Sequence, residues 1–397
     1  MRFNGFYSAL SGRLVRHTHL LSTRVPTLRD GYTTSSLVTQ QHEITPLEQI
    51  ILSSIKATGP ISVSNYMQLC LGHPTYGYYM KGDPLGVAGD FITSPEITQV
   101  FGELIAIWFI SALQATGPLS SPPSGDGIRK LRLVELGPGR GTLSSDILRV
   151  LTGPLASRSG LPPVTNLHLI ETSLALRAKQ ERTLEQYTHG ASSTTSSGSI
   201  DPLSIEWHDH IDDVPVDVGP ETHTLVVANE FFDALPINAF EKAADGWREV
   251  LVDENTQPNV LRPSEVPVSS PASTSSTSTL HSPPRLRFIV SNQPLPVPAL
   301  ATNPRFSNLP VGTRIEYSRG GVGTMRSLAR LIGGSGGGRG LGLVIDYGDD
   351  RFFSSSFRGI RNHRIVDPFD QPGNSDLTAN VDFATLKDAT GDVTNGM

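Results

Sequence analysis

The chain is 397 residues long and 37% hydrophobic, with 38 glycines and 30 prolines; the apolar content excludes a wholly disordered protein, and the Gly and Pro excess requires long loops or linkers. A net charge of −6 gives no reason for a nucleic-acid partner, and the lone Cys70 excludes an intramolecular disulfide or a thiolate zinc cage. The longest apolar run, Leu104 to Ile110, falls far short of the roughly 20 residues that cross a bilayer, so the chain reads as soluble, with two domains or one carrying large insertions.

From Met1 to Arg29 there are five arginines and no acid, and Phe3, Phe6, Tyr7, Leu10 and Leu14 recur at helical spacing. An Arg-rich, acid-poor amphipathic start reads as a cleavable mitochondrial transit peptide, with a disordered basic tail as the alternative. Residues 1–41 are set aside as a leader, and residues 42–118 read as a helical region. Thr45-Pro46-Leu47-Glu48 opens a helix whose buried face is expected at Leu47, Ile50, Ile51 and Ile55, before Gly59-Pro60 ends it. A second helix is expected from Val63 to Leu71. A long third one should start at Ser94-Pro95 and bury Ile97, Val100, Phe101, Leu104, Ile105, Trp108 and Phe109.

Beyond Pro118 short apolar runs alternate with helical stretches: Leu131 to Leu136, Leu167 to Ile170, Leu203 to Trp207, Thr224 to Ala228, and Leu341 to Ile345. That alternation predicts an α/β fold with a parallel, doubly wound sheet. Trp247 to Val252 and Leu286 to Ser291 read as an antiparallel pair. Between them, residues 254–284 are largely Ser, Thr and Pro around Pro267 to Pro284, and Ala191 to Ser199 is a shorter stretch of the same kind; both are expected to be disordered insertions, with Gly333 to Gly340 a flexible glycine run.

Three stretches carry chemistry. Glu135 sits near the end of the first strong strand, and Gly137, Gly139 and Gly141 follow before the next helix. A dinucleotide fingerprint would need a glycine where Thr142 stands, so this spacing favours an adenosylmethionine pocket or, failing that, a simple turn. Glu171 ends the second strand, where a carboxylate can take the two hydroxyls of a nucleoside ribose; a solvated strand end is the alternative. After the fourth strand comes Asn229-Glu230-Phe231-Phe232-Asp233-Ala234-Leu235-Pro236. Two carboxylates three residues apart beside two aromatics suit a cationic substrate, although Asp233 would also serve as a turn cap.

These elements resemble the MidA-like mitochondrial protein arginine methyltransferases, which assist assembly of respiratory complex I. The resemblance rests on Leu133 to Leu143, Asn229 to Pro236, Gly89 to Ile97 and His73 to Tyr79, and continues through Gly246 to Val250, Asp346-Tyr347-Gly348 and Asp376 to Phe383. It implies a class I methyltransferase fold over residues 119–397 and S-adenosyl-L-methionine as methyl donor. It further implies symmetric dimethylation of an arginine on a complex I core subunit in the mitochondrial matrix. Glu135, Gly137, Gly139, Gly141, Glu171 and Asn229 would then form the donor pocket. Family members continue past Val381-Asp382-Phe383 into closing strands of the sheet, whereas this chain stops at Met397, as an incomplete gene model or fragment would.

An arginine acceptor adds a requirement. Its guanidinium stays protonated and repels a sulfonium, so carboxylates must pair with it and orient it. Glu230 and Asp233 are the expected pair, with Asp90 a third candidate that reads equally well as a helix-entry turn. A methyltransferase for another acceptor, or an assembly scaffold that no longer turns over, remain the alternatives, because a donor pocket does not specify its acceptor.

Overall fold

The computed structural model describes residues 43–81, 93–116, 129–188, 203–256 without 217 and 220, 284–333 without 296, 298, 299 and 301, and 339–394. The Arg-rich leader, Asp90, residues 191–199, most of the 254–284 insertion and the glycines at 334 and 336–338 lie outside those residues.

Helix α1 (Pro46–Thr58) begins as expected: the Thr45 hydroxyl accepts from the Glu48 N–H at 3.0 Å, and Gly59 ends the helix at φ +90°. Its buried arc runs through Leu47, Ile51, Ile55 and Leu52. Ile50 is exposed instead, because at 100° per residue it points roughly 60° from Leu47 in the opposite direction. Strand β1 (Ile61–Ser62) and helix α2 (Val63–Gly72) follow, the latter capped by the Ser62 hydroxyl.

The expected long helix is two helices, α3 (Ser94–Ile97) and α4 (Gln99–Thr116), separated by Thr98 in an extended conformation. The expected face is met in part: Ile105 and Phe109 are buried and Phe101 and Trp108 half-buried, but Ile97, Val100 and Leu104 are exposed, and Ala106, Ile110 and Leu113 complete the buried side instead. Gly102 lets α4 cross closely over the next helix, since a Cβ there would lie 2.5 Å from the Asp146 Cβ.

From there the chain alternates strand and helix through β2 (Lys130–Leu136), α5 (Thr142–Leu151), α6 (Pro154–Arg158), β3 (Val164–Ile170), α7 (Leu174–Thr188), β4 (Ser204–His208) and β5 (Thr222–Asn229). Next come β6 (Asn238–Ala243), β7 (Gly246–Glu254), β8 (Leu286–Val290), α8 (Pro304–Ser307), β9 (Arg314–Tyr317), α9 (Arg319–Gly333) and β10 (Arg339–Ile345). The described chain finishes with β11 (Gly348–Asp349), β12 (Arg358–Arg361), β13 (Arg364–Val366), β14 (Asp376–Thr378), β15 (Val381–Asp382) and α10 (Phe383–Thr394).

The expected parallel sheet has the order β10-β5-β2-β3-β4. Alternate residues serve its two faces: Leu131 and Leu133 pack under Phe109, Ile147 and Leu184, whereas Val134 and Leu136 pack with Leu328, Leu331 and Leu386. Helices on both faces make it doubly wound. The expected antiparallel pair is β7 with β8, in a second sheet ordered β1-β7-β6-β9. Helices α1 and α2 cover this second sheet, with Leu47, Ile51, Tyr66 and Met67 against Val252 and Leu286. The N-terminal helices are thus divided, because α4 packs on the parallel sheet instead.

Candidate functional site

The parallel sheet reverses its strand order between β2 and β5: β3 and β4 extend it one way, β5 and β10 the other. Open α/β sheets bind ligands outside the carboxyl ends of their strands at this point, because the two connecting chains diverge there and leave a crevice. The glycine turn leaves β2 and the Asn229–Asp233 turn leaves β5, so both flank it. A cavity of about 710 Å³ opens between them.

Gly137, Gly139 and Gly141 have φ values of +64°, +54° and +82°, the left-handed region that side chains disfavour. A Cβ on Gly137 would lie 2.8 Å from the Phe231 ring, so the two turns touch. The Gln180 amide, on α7, donates to the Gly139 carbonyl at 2.7 Å and to the Glu171 carboxylate at 3.2 Å, tying the turn to the end of β3. On the other side Glu96 accepts from Thr142 at 2.6 Å and from Arg140 at 3.1 Å. Beneath the turn Glu135 is buried and accepts a very short bond from the Ser144 hydroxyl. Burial pushes its carboxyl up to about 7, against the pull of the Ser144 donors.

The second turn is built differently. Glu230 holds φ +50° without being glycine, and its N–H donates to the Ile345 carbonyl at 2.9 Å. Its Oε1 accepts from both the N–H and the hydroxyl of Ser94, at 3.2 and 3.0 Å, while its Oε2 is buried with no hydrogen-bond partner among the described residues. Burial raises the Glu230 carboxyl above the ordinary range, opposed by Ser94, abetted by the nearby Asp233 charge and opposed again, least strongly, by the Asn229 side chain. The Asn229 Oδ1 is likewise buried and unpartnered. Asp233 accepts from Thr378 at 2.7 Å, and burial raises its carboxyl too.

Asp346, at the end of β10, organises this turn. One of its oxygens accepts from the N–H groups of Phe231, Phe232 and Asp233 at 3.1, 2.8 and 3.3 Å. Burial, and then the Asp233 charge, push it up to about 7. Beyond the turn the cavity wall continues through Tyr79, Asp376 and Arg358; Tyr79 donates to Asp376 at 2.8 Å.

The cavity lining brings together every donor-site and acceptor-site residue expected from the sequence except Gly141, which sits one position behind it, and Asp90, which lies outside the described residues. The sequence did not mark Ser94, Glu96, Gln180 or Thr378. Ser94 and Glu96 sit in the Gly89 to Ile97 motif, and Thr378 in the Asp376 to Phe383 motif, so those signals pointed to the right segments without naming the contacts. Gln180 lies on a largely polar helix and had no signal of its own.

An S-adenosyl-L-methionine-dependent methyltransferase family model matches residues 104–395. The chain belongs to this methyltransferase family. The mitochondrial protein arginine methyltransferase NDUFAF7 of Danio rerio is 38% identical over 86% of this chain and 71% of its own length. The Homo sapiens protein of that name is 35% identical over 90% and 72%. In fold, the chain matches a COG1565 superfamily protein from Burkholderia thailandensis, whose crystal structure holds S-adenosyl-homocysteine: TM-score 0.59, 22% identity, 87% of this chain and 76% of that one. The family's methyl donor suits the cavity. Gly137 and Gly139 line it with left-handed backbone free of side chain, Glu171 stands at the adjoining strand end, and the buried Asn229 Oδ1 has no hydrogen-bond partner among the described residues.

Proposed function

We propose that this protein transfers methyl groups from S-adenosyl-L-methionine to an arginine guanidinium of a protein in the mitochondrial matrix, forming symmetric dimethylarginine on a complex I core subunit and so promoting complex I assembly. The names of its relatives and the Arg-rich leader support the acceptor and the compartment. The observation that carries the reading is Glu230, a cavity carboxylate with one oxygen fixed twice by Ser94 and the other buried without a partner. Such an oxygen is costly to bury unless a cation or donor meets it, and a guanidinium provides both.

When bound, the donor supplies an electrophilic methyl group on a positively charged sulfur. Gly137, Gly139 and Gly141 give it close backbone approach, Glu171 accepts from ribose hydroxyls, and Asn229 meets its polar end with Oδ1. Glu135 holds the turn in place through Ser144. Glu230 pairs with guanidinium N–H groups and turns one nitrogen toward the methyl, with Asp233 adding the second negative charge and Asp90 a third candidate. Their charges offset the repulsion between two cations, so the protein acts through alignment and electrostatics.

The test is peptide mass spectrometry after incubating the full chain with donor and complex I core subunits, wild type beside Glu230→Gln. Symmetric dimethylarginine that disappears in the variant is the expected result. Methylation confined to another residue type, or donor binding with no product, overturns the reading.

A further inference from the structure

A second cluster lies on the face of the parallel sheet, outside the cavity. Strands β3 and β4 run parallel with His168 paired to Glu206 and Ile170 to His208. Side chains two apart on a strand share a face, so Glu206 and His208 project on the side where His168 projects from the neighbouring strand. His168 Nδ1 lies 2.9 Å from His208 Nε2 and 3.8 Å from Glu206 Oε2. One ligand atom from each of the three falls within 4.8 Å of the others.

We propose that His168, Glu206 and His208 bind a divalent transition-metal ion of the zinc class. Two imidazoles and a carboxylate are a donor set for such an ion, and three protein ligands leave a position for water. Two nitrogens held at ~2.05 Å from one ion at a tetrahedral angle are about 3.3 Å apart, so the observed nitrogen pair need open only by a few tenths of an ångström. The Glu206 carboxylate, 3.8 Å from His168 Nδ1 and exposed on its strand, has to swing inward to complete the set. His168 is buried and fixed by the sheet, whereas Glu206 is exposed on β4, the outer strand, so an ion has an entry path from solvent. Arg132, the cation on the same face, is turned to other acceptors: it donates to Thr224 and to the Pro215 carbonyl.

The ion would clip the outer strand to its neighbour beside the donor cavity. The His208 carbonyl accepts from the Glu171 N–H at 3.0 Å, and the next residues, Asp209 and His210, line the cavity. Occupancy would therefore stiffen one wall of the site without any ligand contacting substrate.

The experiment titrates Zn²⁺ into the metal-stripped full-length protein against a chromophoric chelator and follows thermal melting in parallel. One equivalent should bind and raise the melting temperature. Loss of an outer-sphere partner alone weakens metal sites by about 10–100-fold, so His168→Gln and His208→Gln should each weaken binding by at least that factor. Glu206→Gln should weaken it less, and His363→Asn, in the β12–β13 hairpin and outside the cluster, should leave it unchanged. X-ray absorption of the loaded protein should report two imidazoles. If buried His168→Gln fails to fold, the more exposed Glu206 and His208 variants decide. No Zn²⁺ binding, or binding untouched by the His208 and Glu206 changes, means that the two histidines are only a hydrogen-bonded pair and overturns the proposal.

Discussion

The two turns at the sheet's crevice do adjacent jobs with opposite construction. The turn after β2 reaches left-handed backbone through three glycines, which adopt it at no steric cost. The turn after β5 puts Glu230 in the same region of backbone space, where a side chain is strained, and holds it there with remote groups: the Ile345 carbonyl and the Asp346 carboxyl. The first needs an open backbone against a ligand. The second needs a charged side chain at the bend itself, so glycine would not serve, and conformational cost is met by contacts from β10.

The sharpest way to break this comparison is at the contact between the turns. Gly137→Val places a branched side chain at positive φ and against Phe231; donor affinity should fall by about 10²-fold, or ~2.7 kcal/mol, as measured by calorimetry on a variant shown to be folded by circular dichroism. Unchanged affinity would separate the glycine turn from the pocket.

Next is Glu230→Gln, which keeps shape and removes charge. Donor affinity should persist while single-turnover methyl transfer falls by roughly 10²-fold. Parallel loss of donor binding would place Glu230 on the donor side instead.

Asp346→Asn offers one acceptor oxygen where the carboxyl offers two, so either the 231–233 N–H groups or Tyr347 loses its partner. Chemical denaturation should show a loss of about 1–3 kcal/mol. The smaller Ser94→Ala change deletes one of two bonds to Glu230 and should slow transfer by about two- to tenfold, the equivalent of ~0.5–1.5 kcal/mol, with the melting temperature little changed.

The remaining effect is a slope with pH. Burial raises Glu135 from an ordinary 4.5 to about 7 in the folded chain. The folded state therefore holds this proton more tightly than the unfolded one: its contribution is full below about 4.5 and is lost as pH rises toward 7. Glu135→Gln removes that dependence, so the melting-temperature difference between variant and wild type should grow in the variant's favour from pH 5 to pH 8. A constant difference would mean that Glu135 is ionised throughout.

How much of this was legible in the sequence follows the same divide. Strands buried on both faces, such as β5 with Leu225 to Ala228, appear as unbroken apolar runs, so the parallel sheet could be read directly. The three glycines were legible because few other residues tolerate such backbone, and Glu171 because it ends an apolar run. Strands β6 and β9 were not, since Phe240 and Ile315 pair across a long stretch of chain and each strand has little pattern alone. Thr98 concealed a helix break, and with it the exposure of Ile97, Val100 and Leu104. Glu230 and Asp233 stood out as acids, but nothing local tells that Asp346, more than a hundred residues on, shapes the bend that presents them.

Gln180 reaches the glycine turn with its nitrogen and, with its oxygen, accepts from the Trp207 indole N–H at 2.8 Å. Trp207 is one of three tryptophans in the chain, beside Trp108 and Trp247. A ligand that pulls on the Gly139 carbonyl therefore changes the polarity around an indole a single amide away, and the chain carries a built-in optical gauge of pocket occupancy, readable as emission wavelength without any label.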